Sequence, residues 1–136
     1  MHSDTLHITL VFLGDTPNTR LDALRELAAT ITNEAFTLKL DRPGCWQHNR
    51  IGWLGVQDTP PALAQLVANL QRALHQSGFT VDDRRYVPHV TLIRNALCGP
   101  PPSCQPVTWR AQNFVLLASS KQRPGYDALG TWQLSA

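Results

Sequence analysis

A chain of 136 residues with 43% apolar side chains suits one domain with a real core, and it lacks the composition of a disordered chain. Its net charge of +2 comes without a run of Lys or Arg. That excludes the many-phosphate grip of a long-duplex binder and suits a small anionic ligand in a local pocket. No apolar stretch is long enough to cross a membrane, and the start, Met-His-Ser-Asp-Thr, lacks the basic and apolar regions of a signal peptide. A cytoplasmic protein with no membrane partner is expected.

In chain order, residues 5–13 are rich in β-branched and aromatic side chains and predict a strand ended by Gly14-Asp15. Leu21, Leu24, Leu27, Ala28 and Ile31 recur at helical spacing, predicting a helix over 19–33. Residues 36–40 alternate as a strand does, and 51–56 form a second short apolar run. Thr59-Pro60 reads as a hydroxyl cap followed by a first-turn proline. The stripe Leu63, Leu66, Val67, Leu70, Ala73 and Leu74 then predicts a helix that Gly78 terminates. Short strands are predicted at 79–81, 89–94, 112–119 and 126–134, with a Pro-rich loop at 96–106. Two helices among hairpin-like joins favour an α+β fold with antiparallel sheets. The three cysteines, Cys45, Cys98 and Cys104, form no disulfide or zinc pattern. Free thiols are expected, with Cys98 and Cys104 the pair near enough in sequence to approach.

One internal echo stands out. Leu6-His7-Ile8-Thr9-Leu10 and Pro88-His89-Val90-Thr91-Leu92 share the pattern His-x-Thr-Leu, 82 positions apart. Strand alternation puts His7 and Thr9 on one face and Ile8 on the other; His89 and Thr91 stand against Val90 in the same way. One copy alone reads as a partly buried histidine beside a strand-forming threonine. Two copies framed by apolar strands give two imidazoles and two hydroxyls. Histidine's ordinary pKa of about 6.5 lets a neutral imidazole accept a proton while a protonated one donates. The hydroxyls suit phosphate oxygens that gain charge in the transition state. His2, His7 and His89 match no zinc spacing, and no metal or other cofactor is expected.

These motifs, Leu-His-Ile-Thr-Leu-Val-Phe-Leu-Gly at 6–14 and Tyr-Val-Pro-His-Val-Thr-Leu-Ile-Arg at 86–94, resemble those of the 2H phosphoesterase superfamily. Within it they resemble the bacterial RNA 2',3'-cyclic phosphodiesterases, also called LigT-like or 2'-5' RNA ligases. Trp53-Leu54-Gly55-Val56, Ser77-Gly78-Phe79 with Arg84-Arg85-Tyr86, and Tyr126-Asp127-Ala128-Leu129 with Trp132-Gln133-Leu134 extend the likeness over nearly the whole chain.

The resemblance implies a two-lobed, pseudo-twofold α+β fold with antiparallel sheets, helices on the outer faces and a central cleft. Residues 1–136 then form a single 2H phosphoesterase domain. It implies metal-independent opening of the 2',3'-cyclic phosphate end of an RNA, or of a small cyclic nucleotide, to a 2'-phosphomonoester, with reversible 2'-5' joining in some members. Carried over, His7 is the acid and His89 the base, although the twofold permits the reverse. Thr9 and Thr91 hold the phosphate, and Phe12 and Arg94 touch the terminal nucleotide. Strict alternation would turn Phe12 and Arg94 away from the histidines, so their roles require a bulge or strand end. Phe12 in the core and Arg94 at a solvated strand end is the structural alternative. Trp46, Trp53 and His48 are candidates to line the mouth of the cleft, with the core the favoured place for the two tryptophans, and His75 reads as a solvated helix end. Relatives carry a strand and a helix before the first motif, whereas this chain starts six residues before His7. An exposed sheet edge, lower stability and self-association are expected from that difference. A non-catalytic RNA-end or nucleotide-binding module of the same fold is the alternative function.

Overall fold

The computed structural model describes residues 6–81, 84–100 and 103–136. In chain order a single 3-10 turn at Asn18–Arg20 leads into α1 (Leu21–Ala29), β1 (Phe36–Leu40), β2 (Arg42–Trp46), β3 (Ile51–Gly55), α2 (Pro61–Gln76), β4 (His89–Ile93), β5 (Val107–Ala111), β6 (Asn113–Ser119) and β7 (Tyr126–Gln133). Every strand pairing is antiparallel: β1 with β5, β6 with β7, and the three-stranded order β2-β3-β4. The architecture is α+β with open sheets.

The core is built on α2. Leu63, Leu66, Val67, Leu70 and Leu74 are buried on one face of this helix. The first four pack with Phe36 and Leu38 of β1, Ala111 of β5, Phe114 of β6 and Leu134 beyond β7. Leu63 and Leu66 are 0% exposed, so each burial contributes about 1.5–3 kcal/mol. A second cluster joins Leu24 of α1, Leu74 and Phe79, with Val11 and Leu13 packed against it. The segment around the first His-x-Thr is thereby anchored to both clusters, since Ile8, Leu10 and Val11 also pack on the larger one.

Gly78 ends α2 as the sequence predicts. Its φ of +83° allows the Gly78 and Phe79 N–H groups to bond the His75 and Leu74 carbonyls, at 3.1 and 2.9 Å. Phe79, expected in a strand over 79–81, instead covers this helix end in contact with the Arg20 guanidinium, 3.7 Å above its ring. The helix also begins one residue later than expected. Pro61 is its first residue, and Pro60 before it is held extended without a side-chain cap. A proline disfavours helical geometry in its predecessor, so Pro60 cannot be the first helical residue. The helix predicted over 19–33 narrows to α1 because Thr30, Ile31 and Thr32 are β-branched and Thr30 Oγ1 donates back to the Leu27 carbonyl at 2.7 Å.

Three further expectations are corrected. The strand predicted over 5–13, whose first residue lies outside the described residues, reduces to one antiparallel bridge between Ile8 and Val90. A bend at Leu10 turns both Leu10 and Val11 toward the core and breaks the alternation. Two strands, β2 and β5, were not predicted. Pro43 and Gly44 mask the first, and the second lies between the predicted Pro-rich loop and the strand predicted at 112–119. Finally, Cys45 and Cys98 form a disulfide with their Cα atoms 5.6 Å apart, while Cys104 stays free and exposed. Cys45 stands opposite Gly52, and Gly52 opposite Ile93, so strand register carries it to the loop that follows β4.

Candidate active site

The second His-x-Thr lies on β4 and the first runs beside it. Val90 is buried and Ile8 packs on the core, so these two side chains turn inward at the bridge. In antiparallel register around that bridge, His7 stands opposite Thr91 and Thr9 opposite His89. The two motifs therefore meet head to tail, with both imidazoles and both hydroxyls on the face away from the core. His7, His89 and Thr91 are half-buried and Thr9 is exposed.

A second tie holds the motifs together. The Tyr86 hydroxyl, three residues before His89, donates to the Thr9 carbonyl at 2.9 Å. Burial pushes the Tyr86 phenol well above the usual tyrosine range, which keeps it protonated as a donor. His89 is oriented by its own segment, with Nδ1 2.8 Å from the Val87 carbonyl. A carbonyl only accepts, so Nδ1 carries the proton and the neutral ring presents its lone pair at Nε2.

Each histidine also meets an aromatic ring edge to face. His7 meets Tyr126 at the start of β7, with centroids 5.0 Å apart and planes at 77°. His89 meets Trp46 at the end of β2, at 4.7 Å and 77°. Such contacts restrict how an imidazole turns in its plane. The register Gly44↔Trp53 and Trp53↔Thr91 puts Trp53 on the same sheet face as the second motif. Trp46 and Trp53 thus border the motifs, which corrects the favoured core placement and matches the alternative at the mouth of the cleft.

Phe12 and Arg94 leave the strand pattern. Phe12 is 75% exposed, because the bend at Leu10 shifts the chain's phase, so its expected alternative as a core residue fails. β4 ends at Ile93, and Arg94 follows it exposed, next to Asn95 at a φ of +57°. His75 is exposed in the last turn of α2. Among the described residues no three His, Cys, Asp or Glu side chains gather into a metal-binding group; His2 lies outside those residues. No helix among them is long and apolar enough to cross a membrane.

The contacts made by Tyr126, Tyr86 and Trp46 went unread in the sequence. Tyr86 and Tyr126 stood out only as parts of matching segments, and the signal for their contacts is strand register, which no local pattern carries.

Comparison with known proteins gives the family. The sequence model of the 2'-5' RNA ligase superfamily matches residues 2–117. The chain is 37% identical to the RNA 2',3'-cyclic phosphodiesterase of Escherichia coli (strain K12), covering 98% of this chain and 78% of that one. It is 30% identical to the RNA 2',3'-cyclic phosphodiesterase of Bacillus subtilis (strain 168), covering 99% and 80%. Its fold superposes on the crystal structure of E. coli LigT complexed with 3'-AMP with a TM-score of 0.87 at 36% identity, over 99% of this chain and 80% of that one. The chain belongs to the 2'-5' RNA ligase superfamily.

Proposed function

We propose that this protein is an RNA 2',3'-cyclic phosphodiesterase that opens the cyclic phosphate end of an RNA, or a small cyclic nucleotide, to a 2'-phosphomonoester without a metal. The observation that carries the reading is the Ile8–Val90 bridge, around which the two His-x-Thr motifs run side by side. His89 is the base: its Nδ1–H is committed to the Val87 carbonyl, which leaves Nε2 to take a proton from water. The water oxygen bonds to phosphorus as the bond from phosphorus to O3' breaks. His7, protonated, gives its proton to the departing O3', and the phosphate remains on O2'. Thr9 and Thr91 donate to the non-bridging oxygens, which gain charge as the fifth bond to phosphorus forms. Phe12 and Arg94, both exposed just after the motifs, meet the terminal nucleotide.

A 5'-hydroxyl in place of water would give a 2'-5' linkage by the same two proton transfers. The names of the relatives support the substrate class. Incubation with adenosine 2',3'-cyclic phosphate, followed by phosphorus NMR, tests the reading. The 2'-phosphate as sole product supports it; a 3'-phosphate product or no turnover counts against it.

A further inference from the structure

Two indoles lie beside the motifs without a part in the proton transfers. Trp53 crosses the sheet face over two glycines: a Cβ on Gly44 would overlap its ring, and one on Gly55 would come within 2.9 Å of it. Trp46 leans on Trp53 with centroids 5.3 Å apart and planes at 38°. It also meets His89 at 4.7 Å and faces the exposed His48 ring at 6.4 Å and 34°. Neither indole belongs to either buried cluster, although the Trp53 Nε1 atom is buried. Gly44 and Gly55 leave room for the Trp53 ring, and Trp46 leans on it beside the ring of His89.

We propose that Trp46, backed by Trp53 and flanked by His48, stacks on the base of the nucleotide that carries the cyclic phosphate. This rests on the phosphodiesterase reading above. In a ribose 2',3'-cyclic phosphate the base sits on C1', next to the C2' that bears the phosphate. A ring in contact with His89 is therefore within reach of that base. Every base offers a π-face, so the platform accepts all four, and purines, with more area, bind best.

The test compares adenosine 2',3'-cyclic phosphate with methyl ribofuranoside 2,3-cyclic phosphate, which has no base. Trp46→Leu is expected to lower the ratio of their kcat/KM values about tenfold, mainly through KM for the nucleotide. Trp46→Phe should restore most of the ratio. An unchanged ratio overturns the proposal, because Trp46 then serves only to hold His89. A ratio that falls in Phe12→Leu and not in Trp46→Leu overturns it as well. Calorimetric binding of 2'-AMP and ribose 2-phosphate separates this proposal from the reading beneath it. If the unaltered protein turns over neither substrate, the hydrolytic reading fails. Selective loss of 2'-AMP affinity in Trp46→Leu still upholds the stacking, and equal loss for both ligands overturns it.

Discussion

The Tyr86 hydroxyl donates to the carbonyl oxygen of Thr9 across 77 positions of sequence, at 2.9 Å. With the Ile8–Val90 bridge, this bond couples the approach to one histidine with the strand that holds the other. Tyr86→Phe keeps the ring and deletes the bond. We expect about 1 kcal/mol lower stability and a fall in kcat larger than the change in KM.

The same bond has a pH signature. Burial raises the folded-state pKa of Tyr86 above its unfolded value of about 10. Its contribution is therefore complete below about pH 10 and falls above it, as the unfolded chain loses a proton that the folded chain keeps. Urea denaturation from neutral to alkaline pH should show a steeper loss in the unaltered protein than in Tyr86→Phe. Parallel curves would mean that the phenol is not held as described.

The two glycines beneath Trp53 give a second prediction. A methyl group at Gly44 overlaps the indole, so the ring must shift to admit it. Gly44→Ala is expected to cost about 1–3 kcal/mol. Adding Trp53→Leu should recover part of that loss, since the two changes share one contact. Strict additivity in a thermal or urea double-mutant cycle would show that the ring does not lie over Gly44.

The Cys45–Cys98 bond closes a loop with a sequence separation of 53, for which chain entropy sets a ceiling of about 4 kcal/mol. Reduction should lower the urea midpoint, and Cys98→Ser should match the reduced protein under oxidising conditions. Alkylation before reduction should label Cys104 alone. Three labelled thiols would instead restore the expectation drawn from sequence.

The double motif was legible because each copy carries its own apolar frame, a local signal readable without a partner. The α2 stripe and its Gly78 end were legible for the same reason. What depends on register was not. Cys45 appeared far from Cys98 until β2, β3 and β4 set them side by side, and nearby Cys104 proved irrelevant to the bond. For Trp46 the core outranked the mouth of the cleft because aromatic residues are usually buried, while its contact with His89 depends on β2, whose Pro43 and Gly44 concealed the strand. The strand predicted around His7 failed where local propensity met packing: the core takes both Leu10 and Val11, and an alternating chain cannot supply both.

The most direct measurement is cleavage of a 2',3'-cyclic-phosphate-ended oligonucleotide in EDTA, beside His7→Ala and His89→Ala. The account predicts chelator-resistant turnover to a 2'-phosphate end, reduced in each variant by about 10²–10⁴. Turnover that EDTA abolishes, or that survives either substitution, would contradict it.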